Sequence, residues 1–235
     1  LGDIMRRNIK RFAACFAAAS AVTFGVLGFA SCDISMQQES GYKEGRYAVT
    51  SGFSSIDIDA DGGVNFTLSY GEEFEVDYSE SEQEKFDFSV EDGTLVISQR
   101  RSVASLLNYK EKTLNIVVPK ENKISSVSAD VNGAFTCDLT GDYRTLAFET
   151  AGKFTADFTG SAETLTVECI GNVDFKDRAF SANTVSFDCT GALNFEITCN
   201  VLLDVECAGS CGGTYYGDCK VEKRIVGADT VVKGN

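Results

Sequence analysis

Histidine and tryptophan are absent from the 235 residues, proline occurs once and methionine twice. Without histidine there is no Ser-His-Asp or Cys-His nucleophile, no His-ligated zinc and no imidazole acid–base chemistry. Basic residues are also scarce. Twenty-one Lys and Arg stand against 35 Asp and Glu, a formal charge of −14. Arg6, Arg7, Lys10 and Arg11 fall in the first 31 residues, opposed only by Asp3, so the rest of the chain is more acidic still. Such a surface repels phosphates, which argues against a nucleic-acid partner. What is plentiful is Gly (22), Phe (17) and Tyr (8). With Val and Thr, these suit sheet with tight turns, and the length allows one sizeable core.

The amino-terminal residues read as an export signal. Leu1 to Ile4 look like an extension upstream of a start at Met5. Met-Arg-Arg-Asn-Ile-Lys-Arg then forms a basic region, and Phe12 to Ala30 is an apolar run without charge. Ala30 and Ser31 place small residues directly before Cys32, with Phe29 where leucine is usual in a bacterial lipobox. The order predicts a signal peptide over residues 1–31, cleavage before Cys32 and lipidation of its thiol. The other readings are an uncleaved anchor or an ordinary signal with an incidental cysteine. Residues 32–50 are polar and lack sustained periodicity, as expected of a tether.

From residue 51 the chain alternates apolar and polar residues. Ile56 to Leu68 alternates around Gly62, and Phe74 to Tyr78, Lys85 to Val90, Thr94 to Ser98 and Thr113 to Val118 read as strands. Asp92-Gly93 marks a hairpin turn. Gln99 to Lys112, with Arg100, Arg101, Lys110 and Lys112, reads as a solvated loop. Beyond Pro119, Gly133, Gly152, Gly171, Gly191, Gly209 and Gly227 recur every 18–20 residues within alternating stretches such as Leu165-Thr-Val-Glu-Cys-Ile-Gly-Asn-Val-Asp-Phe175. A fixed period of this length predicts stacked repeats. The expected fold is all-β: a parallel β-helix, that is, a single-stranded right-handed β-solenoid with coils of about 19 residues. Antiparallel hairpins are expected towards its amino-terminal end. An antiparallel β-sandwich is the competing architecture. The expected domain spans 51–235, with an amino-terminal part over 51–118 and the repeat array over 119–235. Lys223 and Asp229, charged where earlier repeats are apolar, predict a capping last repeat.

Stacking gives the polar side chains a pattern. Four residues before each glycine, and two after it, apolar residues point inward. Three before it stands an acid: Asp59, then Asp130, Glu149, Glu168, Asp188 and Glu206, with Arg224 last. Stacked neighbours of this kind raise one another's pKa or share a cation. Asp130, Glu149, Glu168, Asp188 and Glu206 are therefore the candidate ligand face, for a glycan or weakly for Ca2+. The alternative is a solvated stripe that keeps sheet edges apart. Seven cysteines follow Cys32, and Cys169, Cys189 and Cys207 share one column. They read as packed core thiols, as disulfides, or as a metal site without His help. No metal site or cofactor is predicted.

The repeat apolar-x-apolar-x-x-x-Gly-x-apolar, the opening Phe53-Ser-Ser-Ile-Asp-Ile, the Val90-Glu-Asp-Gly-Thr-Leu-Val-Ile97 hairpin and the ending Lys220-Val-Glu-Lys-Arg-Ile-Val-Gly-Ala228 resemble the head-GIN domain, the auto-transporter adhesin family. It is similar also to the related adhesin domain of bacterial envelope proteins. The family's Ser-Gly-Ala-Gly turn departs here: Glu168 or Asp188 replaces its Ser, and Cys169, Cys189 or Cys207 its first Gly. The resemblance implies an exported, often lipid-anchored module and no enzyme. The expected role is binding or structural display at the bacterial cell envelope, on the cell membrane or outer membrane. Expected partners are the membrane, through the lipid anchor, and a glycan or envelope protein. A pectinase-like polysaccharide-active enzyme and an envelope-stress signalling accessory are the alternatives. The enzyme rests on fold analogy alone.

Overall fold

The computed structural model describes residues 43–49, 52–80, 84–101 and 111–235. All belong to the compact unit Ser40–Asn235; Cys32, the signal residues and most of the tether lie outside the described residues. Every regular element is a strand: β1 (Lys43–Tyr47), β2 (Ser55–Asp61), β3 (Val64–Gly71), β4 (Glu75–Glu80), β5 (Glu84–Glu91), β6 (Thr94–Arg101), β7 (Lys112–Pro119), β8 (Ser126–Asn132), β9 (Phe135–Tyr216) and β10 (Lys220–Lys233). No helix among them is long and apolar enough to cross a membrane.

The chain is all-β, but the single-stranded parallel β-helix is corrected. The strands form one ten-stranded sheet of mixed direction, in the order β1-β4-β7-β3-β9-β8-β2-β6-β5, with β10 on β9. β1/β4, β4/β7 and β5/β6 are antiparallel, and the other pairs are parallel. The two ends of this path meet. Tyr47 on β1 stacks on Phe88 of β5 at 4.9 Å, and Tyr78 on β4 lies 4.8 Å from the same ring. The sheet is thus a nearly closed barrel. The physical reason lies in β4 and β5. They carry no repeat glycine and pair only antiparallel, β4 with β1 and β7 and β5 with β6, so they wrap the sheet round on itself instead of adding a parallel layer.

The glycine period sets a parallel register within that sheet. Asp130 lies opposite both Asp59 and Glu149, and Gly227 opposite Gly209. Successive segments of β9 lie so close that a Cβ on Gly171 would overlap the Gly152 carbonyl, and one on Gly191 that of Gly171. Inside runs a file of buried rings. Phe148 and Phe154 lie 5.2 Å apart, and Phe187 and Phe195 5.0 Å apart. The inward columns Phe148, Val167, Phe187, Val205 and Phe135, Phe154, Val173, Leu193, Cys211 are all buried. Burying each aromatic or aliphatic side chain contributes about 1.5–3 kcal/mol, the main source of stability.

Two segments differ from expectation. Residues 43–47, assigned to the tether, form β1 on β4. A strand this polar survives at an edge, where Arg46 bridges to Asp77 at 2.8 Å and to Glu75 while Tyr47 packs inward. Lys112, assigned to a solvated loop, opens β7 and is fully buried. Its Nζ donates to the Asp61 carbonyl at 2.7 Å, a partner that makes burial of the ammonium tolerable.

Candidate functional site

Strands β2, β8, β9 and β10 carry the acidic column. Because side chains alternate along a strand, the residue beside each buried Phe or Val faces out. Asp59, Asp130 and Glu149 are register partners across β2, β8 and β9. The charge of Asp188 acts on Glu168, and that of Glu206 on Asp188. The column ends at Arg224 on β10, opposite Glu206. Its guanidinium donates to Glu206 at 3.0 Å and to Asp204 at 3.3 Å. All five predicted ligand-face residues thus fall on one outward line.

The electrostatics along this line are graded. Partial burial and then the Asp188 charge hold the Glu168 carboxyl above its ordinary range. Asp188 is raised by lost solvent and next by Glu206, while Arg224 opposes the shift. The centre of the column therefore holds protons more tightly than free carboxylates, and the Arg224 end is neutralised. Among the described residues, no three His, Cys, Asp or Glu side chains converge closely enough to hold a metal ion. Two shallow depressions lie elsewhere. One of about 450 Å3 is bounded by Gly62, Gly63, Glu111 and Asn132, the other of about 230 Å3 by Lys176, Asn194, Glu196 and Thr214. The column is a line of carboxylate oxygens, a chemistry that suits hydroxyl groups or cationic side chains.

A second acidic group was not anticipated. Asp138 and Asp157 stand five residues after Gly133 and Gly152, and Asp177 lies beside them on β9. Asp138 is raised by burial and by the Asp157 charge. Asp177 is pushed up to about 7, chiefly by burial, with the charges of Asp157, Asp138 and Asp174 adding to it and the Phe158 N–H opposing. One of its oxygens, Oδ2, is buried without a hydrogen-bond partner. The common offset of Asp138 and Asp157 was readable. Asp177 stands one residue further from its glycine, at an offset that is apolar in other repeats, and gave no such signal.

All seven cysteines after Cys32 are free thiols, six of them buried. Cys169 and Cys189 donate to the carbonyls of Gly152 and Gly171 at 3.7 and 3.9 Å. They fill the column that Thr150 occupies one repeat earlier, as small core side chains.

The chain is thus an all-β domain whose strands carry an acidic column in register. The chain belongs to the family described as "Putative auto-transporter adhesin, head GIN domain", whose model matches residues 52–219. Among curated proteins, no relative matches it. It is similar to a "putative adhesin" of Bacteroides fragilis NCTC 9343, at 15% identity, TM-score 0.49, over 82% of this chain and 97% of that one. It is also similar to a "putative cell adhesion protein" of Clostridium sporogenes ATCC 15579, at 14% identity, TM-score 0.39, over 78% of this chain and 100% of that one. A "putative lipid binding protein" of Parabacteroides distasonis ATCC 8503 matches at 14% identity, TM-score 0.39, over 84% and 98%.

Proposed function

We propose that this protein is an exported adhesion module, held at the bacterial envelope by a lipid on Cys32, that binds a glycan or an envelope protein. The observation that carries the binding reading is the column Asp130, Glu149, Glu168, Asp188 and Glu206, kept in line by strand register. The family description supports adhesion in place of catalysis. The order of basic region, apolar run and Cys32 supports the anchor.

Neighbouring carboxylates about 5 Å apart offer repeated acceptors to a repeating ligand. Such a face gains affinity by summing weak contacts along its length. Two measurements test the two halves of the reading. In a bacterial host, the wild-type chain should partition into detergent and incorporate labelled fatty acid, and Cys32→Ser should do neither; an unlabelled wild-type chain overturns the anchor. On a glycan array and against envelope extracts, the double variant Glu168→Gln/Asp188→Asn should lose at least about tenfold in affinity, as expected for two central charge-assisted contacts. Unchanged binding would remove the column as the ligand face. A calcium titration accompanies it, and a calcium-dependent rise in melting temperature that the double variant lacks would add the cation to the ligand.

A further inference from the structure

The turn between β9 and β10 brings two thiols together at the end of the sheet. Gly217 lies directly over Cys199, so that a Cβ on it would overlap the Cys199 carbonyl. Two residues later Cys219 packs against the core, one position before Lys220 takes its place opposite Leu202. The Cys199 thiol donates to the Asn183 carbonyl at 3.7 Å and lies beside the Cys219 thiol, which acts on it. We infer that Cys199 and Cys219 are a cross-linking site: a disulfide between them staples the terminal strand β10 to the body of the sheet.

Access and freedom of the backbone single out Cys219. Cys137, Cys169, Cys189, Cys199, Cys207 and Cys211 are all buried to 4% exposure or less. Cys219 alone among the seven is half-buried. Cys169, Cys189 and Cys207 also lie within strands, where the ladder fixes the backbone. A disulfide needs a dihedral near 90° about its S–S bond, which rigid in-register neighbours accommodate poorly. Cys219 follows the bend at Gly217-Asp218, outside any strand, and can adjust. Burial and the neighbouring Cys219 thiol push Cys199 up to about 12, and the half-buried Cys219 is the thiol a disulfide donor meets first.

The chemistry is thiol–disulfide exchange with a disulfide donor, either oxidised glutathione or a dithiol oxidase of an oxidising compartment. The Cys219 thiolate attacks one donor sulfur, and the other leaves as a thiolate. Cys199, losing its proton, then attacks Cys219 Sγ and expels the second donor thiolate. Two protein thiols become one disulfide, and one donor disulfide becomes two thiols. The purpose is mechanical. β10 is paired on one side only and its residues are largely exposed, so it is the strand most easily peeled away. The cross-link closes the chain from 199 to 219 and keeps β10 in register. This inference goes beyond the adhesion reading and stands or falls separately from it.

The test is oxidation of the full folded chain with glutathione disulfide, followed by alkylation and peptide mapping. The expected product is a peptide pair joined through Cys199 and Cys219, with the other five thiols recovered alkylated after unfolding. The oxidised chain should melt about 5 °C or more above the reduced chain. Cys219→Ser, at a half-exposed position, should fold normally and lose that difference, while Cys189→Ser should keep it. Recovery of both thiols alkylated, or a cross-link dominated by another pair, would overturn the proposal. So would an oxidation shift that persists in Cys219→Ser.

Discussion

Asp177 occupies a place in β9 where the equivalent residues of other repeats are apolar: Leu139, Phe158 and Ile197 are all buried. Between Phe175 and Phe180 no residue is buried, whereas the preceding repeat buries Phe158 between Ala156 and Ala162. The extra residue between Gly171 and Gly191 is absorbed there, and it turns a carboxyl inward. Burial, then the charges of Asp157, Asp138 and Asp174, raise it from 3.8 to about 7. The folded chain therefore keeps this proton between about pH 4 and 7, where the unfolded chain has released it. Stability from this group is fullest at the acidic end of that window, falls as pH rises through it, and is lost above about 7. Asp177→Asn should flatten this slope. After allowance for partial solvent contact, it should stabilise the chain by about 1–2 kcal/mol at pH 8 and by less at pH 5. Urea unfolding at the two pH values measures the difference, and equal gains at both would refute the assignment. From sequence, Asp177 in Val-Asp-Phe-Lys-Asp-Arg looks like one more solvated charge. The longer glycine interval was visible, but which residue it would turn inward depends on packing. Glu168 and Asp188 sat in an unbroken phase and were readable for that reason.

At the scale of elements, the repeat glycines do a different job from the hairpin glycine. Gly171 has φ +141°, and any Cβ there would meet the backbone carbonyl of Gly152, which cannot move without breaking strand register. Gly93, at φ +76° in the β5–β6 turn, has open space around the same position. Gly171→Ala should therefore cost more than about 3 kcal/mol, combining backbone strain with a clash at the core of β9. Gly93→Ala should cost about 1–2 kcal/mol, from the left-handed conformation alone. Denaturant melts compare them directly, and similar costs would mean that close strand approach is not what the period encodes. The same distinction explains what was legible. Val64 to Leu68, Thr94 to Ser98 and Thr113 to Val118 were recognisable from local alternation, which records burial on one face, while the ends of β6 at Arg101 and β7 at Lys112 were read as loop. β1 was not, since Lys-Glu-Gly-Arg-Tyr has no apolar alternation and owes its place to the ion pairs of Arg46 and the ring of Tyr47.

For the molecule as a whole, a period of 18–20 residues specifies which residues lie side by side in parallel, as Asp130 does with Glu149 and Arg224 with Glu206. It is silent on residues outside the period. The antiparallel pairing of Glu75–Tyr78 with Leu114–Val117 turns the sheet towards closure, and that partnership is long-range and unsigned in local pattern. Where Tyr47 meets Phe88, the amino-terminal strands cover each other's edges. At the other limit, β10 remains an open edge, and here the charges matter. Lys223 and Asp229 lie opposite the buried Val205 and Cys211 and bridge to each other at 2.7 Å, placing an ion pair where the next layer would find an apolar surface. Unpaired strand edges associate when flat and apolar, and charged side chains on them prevent it. Val221, Ile225 and Val231 lie on the same face of β10 as Lys223 and Asp229 and pack against the core. Lys223→Val/Asp229→Val should complete an apolar stripe on β10 and drive the chain into dimers or longer assemblies at micromolar concentration, visible by sedimentation velocity. The intact protein should remain a monomer under the same conditions. An exposed ion pair contributes little to stability, so folding should survive the change. If the double variant also sediments as a monomer, Lys223 and Asp229 are not what protects the edge, and the burden shifts to Arg224 and the Lys220–Glu222 pair on the same strand.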